Sequence, residues 1–154
     1  MKPAELREEI AVELESMELP VNELVALQRD LKEKEPTTRE KTAAPAFLAQ
    51  LYNGLENILK RISSYNNVSL PAGETWHVEL FQRFCSPSHH DLPQLFDEEL
   101  ASALAPYRRF RHVMFHSYGF QLDWSRMAEG IDKVESVFDR VKSSLSQYLQ
   151  VIGG

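Results

Sequence analysis

Apolar residues recur at helical spacing along almost the whole chain. Leu6, Ile10, Leu14, Met17, Val21, Leu24, Leu27 and Leu31 step by three or four residues, which places them on one face of a helix. The stripe keeps its register across Pro20, so the pattern predicts one kinked helix there rather than two. Lys32-Glu33-Lys34-Glu35-Pro36 ends it, and Thr37 followed by Glu40 has the form of a capping box opening the next segment. Pro45 lies inside that segment, so regular helix is expected to begin only at Ala43 or Ala44, with the proline in its first turn. Phe47, Leu48, Leu51, Leu55, Ile58, Leu59 and Ile62 then form a strong apolar stripe that predicts a core helix.

Residues 66–74 are turn-rich, and a short helix is expected from Thr75 to about Phe84. A second loop covers Ser86 to Pro93, and a fourth helix is expected from about Gln94 to Tyr118, with Gly119 as a left-handed cap. Asp123 can cap the last helix, whose stripe is Trp124, Met127, Ile131, Val134, Phe138, Val141, Leu145 and Leu149. No stretch alternates with a period of two for long enough to suggest a sheet. The expectation is an all-α antiparallel bundle of four to five helices, forming a single domain over residues 1–154.

Composition narrows this only a little. With 154 residues, 43% apolar and 26% charged, the chain has the make-up of an ordinary soluble globular domain. The lone Cys85 cannot pair within the chain, and no thiolate cluster exists to hold zinc. No apolar run is long enough for a signal peptide or a membrane span, so a cytoplasmic location is expected and no membrane partner. Trp76 and Trp124 read as core or helix-packing residues, and Cys85 as a small buried hydrophobe.

Charge changes the picture at one place. The chain carries a formal net charge of −6, yet Tyr107 to Gly119 holds Arg108, Arg109, Arg111, His112 and His116 without a carboxylate; its three arginines leave −9 for the remainder. A polyanion could be held locally there and repelled elsewhere, which argues against a general nucleic-acid binder and against DNA as a partner. On a helical wheel Leu100, Leu104, Tyr107, Met114, Phe115 and Tyr118 share a face with Arg111 in its middle. That stripe offers the arginine no carboxylate, so its partner must be another helix, another subunit or an anionic ligand. Arg109, His112 and His116 follow a different, polar face. Arg111 and His116 are about 140° apart on an ideal helix, so a joint site needs a local bend or a second protomer.

Two plainer readings compete. Asp97, Glu98 and Glu99 open this helix and the basic residues close it, which is how side chains commonly complement the helix dipole. His112 and His116 also have the i, i+4 spacing of a metal pair, but two histidines without a third ligand do not make a site, and neither metal nor cofactor is expected.

Arg111-x4-His116-x-Tyr118 resembles the R-x4-H-x-Y motif of HepT-like ribonuclease toxins in the HEPN superfamily, and His112 matches the polar residue often found after the arginine. Arg83 with His89 or His90, and Arg109 with His116, also fit the looser arginine-to-histidine spacing; none has all three residues in place. The resemblance spans about residues 40–150. It implies metal-independent RNA cleavage in which the ribose 2′-hydroxyl attacks the adjacent phosphate, with Arg111, His116 and His112 catalytic. Arg108, Arg109 and Tyr118 would bind substrate, with Arg126 and Lys133 as further phosphate contacts. It also implies a homodimer with two motifs facing a shared cleft, and a nucleotidyltransferase antitoxin that attaches AMP to Tyr118. The alternative is a non-catalytic helical module that binds such a nucleotidyltransferase.

Overall fold

The computed structural model describes residues 1–116 and 124–153, the side chains of 113–116 aside. Five helices follow in order among these residues, α1 (Pro3–Asp30), α2 (Thr38–Tyr65), α3 (Trp76–Gln82), α4 (Glu98–His116) and α5 (Trp124–Gly153). The architecture is an all-α helical bundle, and the described residues contain no strand.

α1 runs unbroken across Pro20, which is itself buried. α2 departs from expectation. Thr37 and Glu40 form the reciprocal capping box, with Glu40 N–H donating to Thr37 Oγ1 at 3.1 Å and Thr37 N–H donating to Glu40 Oε1 at 2.9 Å. The helix therefore starts at Thr38, ahead of the Ala43 or Ala44 expected, and Pro45 lies within it. Two orphan N–H groups satisfied at the cap hold the first turn in place. The carbonyl that loses its partner to Pro45 is that of Lys41, an exposed residue, where water can substitute.

α4 starts at Glu98 rather than Gln94, because Asp97 caps it: its carboxylate accepts from Leu100 N–H at 2.7 Å. Pro106 is carried inside this helix. The Gly119 and Asp123 caps lie outside the described residues.

Cross-helix contacts fix the directions. Arg61 of α2 pairs with Glu9 at 3.0 Å and Glu13 at 3.1 Å of α1, while Gly54, earlier in α2, lies against Met17, later in α1, so the two helices are antiparallel. The same holds for α1 with α5, where Arg7 donates to Leu149 O at 3.0 Å and Gln28 to Asp132 at 3.1 Å. A Cβ at Gly54 would fall on the Met17 side chain, so the missing side chain lets α1 lie close on α2. Leu6, Ile10 and Leu24 of α1 are fully buried in the same apolar cluster as the stripes of α2 and α5. Each such side chain contributes about 1.5–3 kcal/mol as an upper estimate.

α4 seats on α2 and α5. Tyr107 donates its buried hydroxyl to Gly130 O at 2.6 Å, and burial pushes that phenol well above its ordinary pKa. Phe110 packs over Gly130, where a Cβ would stand 2.8 Å from the ring. Arg140 of α5 reaches Asp97 and Glu99 at the other end of α4, at 3.7 and 3.6 Å.

Candidate functional site

α4 presents its buried face as Leu100, Leu104, Tyr107 and Phe110, with Arg111 beside them and its side chain 20% exposed. The partner it needs comes from another helix. Arg111 Nε lies 2.5 Å from Asn53 Oδ1 and 3.2 Å from Glu56 Oε1, both on α2. Glu56 is 2% exposed. Its second oxygen, Oε2, lies 2.6 Å from Nδ1 of His77 on α3. One buried carboxylate thus serves two partners, one at each oxygen.

Burying a lone carboxylate is strongly unfavourable, and its place here is sustained by these directional contacts. With Glu56 ionised, the imidazole donates from Nδ1. The pairing also accounts for an arginine in an apolar stripe without calling on a second subunit. Sequence reasoning missed Asn53, Glu56 and His77. A signal for Glu56 did exist: it continues the i, i+4 row Leu48, Tyr52, Glu56, a carboxylate where the row is otherwise buried and mostly apolar.

Tyr52 adjoins this group. It is 1% exposed, and its hydroxyl makes no hydrogen bond among the described residues. Burial first, and then the Glu56 charge, pushes its phenol far above the ordinary value, while Arg108 and Arg111 pull the other way. Arg108 holds its guanidinium over the Phe81 ring at 5.8 Å. Arg109 and His112 are exposed, in keeping with the polar face expected of them. The His116 side chain and all of Tyr118 lie outside the described residues.

The remaining candidates are accounted for locally. Arg83 donates to Ser69 O at 2.8 Å and to Glu79 at 3.4 Å, tying the α2–α3 loop to α3. Lys133 pairs with Glu129 at 3.0 Å, and Arg126 is exposed near the start of α5. Trp76 is half-buried beneath Lys60, whose Nζ stands 4.7 Å from the ring centroid. Cys85 is half-buried rather than fully buried, and burial raises its thiol pKa against a smaller opposing effect of Arg108. Among the described residues, His89, His90 and Asp91 place possible metal-ligand atoms within 4.8 Å of one another. Their mutual contacts explain the cluster: Asp91 N–H donates to His89 Nδ1 at 3.2 Å, and His90 Nε2 lies 3.0 Å from Asp91.

An all-α bundle with a guanidinium anchored on α4, ahead of the long amphipathic α5, has the architecture of a HEPN-type domain. The family model described as HepT-like protein matches residues 43–152, and the chain belongs to that family. Membership points to a HEPN-type toxin. The match takes in α3, α4, nearly all of α5 and α2 from Ala43 onward; α1 lies outside it. Neither a curated protein nor a solved structure matches the chain. Among the described residues, no helix is long and apolar enough to cross a membrane.

Proposed function

We propose that this protein is a metal-independent endoribonuclease toxin, acting in the cytoplasm as a homodimer paired with a nucleotidyltransferase antitoxin. The observation carrying this reading is the Arg111-x4-His116-x-Tyr118 sequence of a HepT-like chain, with Arg111 on α4 held by Asn53 and Glu56. In the reaction, the 2′-hydroxyl loses its proton as its oxygen bonds to the adjacent phosphorus. The bond to the 5′-oxygen then breaks, and that oxygen takes up a proton. His116 supplies the base or acid because imidazole titrates near neutrality. Arg111 offers a planar donor fork to the dianionic phosphorane, and His112 orients the substrate or donates a proton. Arg108 and Arg109 are phosphate contacts, with Arg126 and Lys133 as further candidates. Tyr118 binds beside the scissile phosphate, and AMP attached there would add bulk and negative charge near Arg111, silencing the enzyme.

Helix geometry supports the homodimer. α4 continues without interruption through His116, so positions 111 and 116 keep their separation of about 140° around its axis. Two copies facing each other would bring the guanidinium of one toward the imidazole of the other.

Purified wild type should cleave RNA in the presence of a chelator, and His116→Ala should not. In cells lacking the antitoxin, wild type should arrest growth and His116→Ala should be harmless. A second reading, the non-catalytic nucleotidyltransferase-binding module, is favoured by the Glu56 contact, since a guanidinium paired with a buried carboxylate also suits a purely structural arginine. Two equally harmless proteins that leave RNA intact would refute the first reading and favour the second.

A further inference from the structure

We infer that Glu56 is a positioning residue for Arg111 and that His77 holds Glu56 in place, so that the site extends from α4 through α2 to α3. The inference rests on the nuclease reading above.

Three observations converge. Glu56 is 2% exposed in a helix face that is otherwise mostly apolar, where a leucine or methionine would avoid the desolvation cost. What the carboxylate adds is direction. Its Oε1 and Asn53 Oδ1, one turn apart on α2, both meet Arg111 at Nε, 3.2 and 2.5 Å away. Asn53 accepts the Nε–H and the Glu56 carboxylate sets its charge beside the same nitrogen, so the two together hold the guanidinium against α2. Finally, Glu56 Oε2 is engaged by His77 Nδ1 at 2.6 Å, so the carboxylate cannot rotate away from Arg111 without giving up that contact. The His77 side chain is 27% exposed, on a helix of seven residues.

The kinetic consequence is specific. A diester substrate carries one negative charge and the phosphorane two, so guanidinium alignment matters more in the transition state than in the bound substrate. Loss of the anchor should therefore lower kcat with little change in KM.

The test uses the full-length protein on a labelled RNA, with a 2′-deoxy version at the cleaved position as non-cleavable ligand and thermal melting to confirm folding. Glu56→Gln should lower kcat about 10- to 100-fold with KM changed less than about threefold, a range typical for supporting-shell residues. His77→Ala should lower kcat about tenfold, and His77→Asn, whose amide N–H stands where Nδ1 stood and can still donate to Glu56, should recover most of it. In an Arg111→Ala background, Glu56→Gln should change neither residual cleavage nor affinity for the deoxy ligand, because a positioning residue has nothing left to position.

Arg111→Ala inactive beside a fully active Glu56→Gln would overturn the positioning role and leave the nuclease standing. An equal loss from Glu56→Gln in both backgrounds would also overturn it, as the mark of a general structural role. Wild type failing to cleave RNA would overturn the nuclease reading itself, whereas wild type and Arg111→Ala cleaving alike would overturn the role of Arg111 and this inference with it. If Glu56→Gln does not fold, the His77 pair decides: failure of His77→Asn to restore what His77→Ala loses refutes the inference.

Discussion

Gly130 governs how closely α4 approaches α5, and replacing it with alanine tests the seat of the arginine helix. The added Cβ would stand 2.8 Å from Phe110 Cε2, 3.4 Å from Phe110 Cζ and 3.7 Å from Tyr107 Cε1. Carbon atoms pack comfortably at about 3.5–4.0 Å, so the Phe110 ring must withdraw by about 0.7 Å. The ring has little freedom to do so, since it is 6% exposed and its face is set edge-on to Tyr107, 83° between planes. Overpacking of this kind costs about 1–3 kcal/mol. Alanine in place of glycine inside a helix returns about 1 kcal/mol. The net expectation is a loss of about 1 kcal/mol, or a fall in Tm of about 2–4 °C for a chain of this size.

A double-mutant comparison sharpens the sign. With Phe110→Ala already present, the collision is removed and only the helical gain remains, so Gly130→Ala should then raise Tm. Thermal unfolding followed by circular dichroism on the four proteins would read both differences. A Tm for Gly130→Ala above wild type would refute the close seating of α4 on α5. Equal effects in the two backgrounds would show that Phe110 is not what the new methyl meets.

Two further outcomes follow from buried and capping groups. Tyr52→Phe removes a buried hydroxyl that has no hydrogen bond among the described residues, so it should leave stability unchanged or raise it by about 1 kcal/mol, measured by denaturant unfolding; a loss above that size would refute this account of the hydroxyl. Glu40 has its pKa lowered from 4.5, first by the hydrogen bond from Thr37 N–H, so its contribution is present above about pH 4.5 and disappears as pH falls through the lowered value. Wild type should accordingly melt above Glu40→Ala at pH 7, and the two should converge near pH 2; a gap that persists at low pH would refute the charged form of the capping box.

Much of the fold follows from short-range rules. The stripes of α1, α2 and α5, the Thr37 and Glu40 box and the absence of period-two segments all depend on residues within four positions of each other, where spacing and capping are legible. The start of α2 was misplaced because the proline rule and the capping box gave opposite answers at one helix end, and the cap prevailed.

The HepT-like family membership and the cation cluster at Arg108, Arg109, Arg111 and His112 could likewise be read from the chain alone. The partner of Arg111 could not. Asn53 and Glu56 lie 58 and 55 positions away in sequence, and His77 reaches Glu56 from a third helix. Which of the three permitted partners an arginine in an apolar stripe receives depends on how α2, α3 and α4 are laid together, because a buried charge is satisfied in space rather than along the chain.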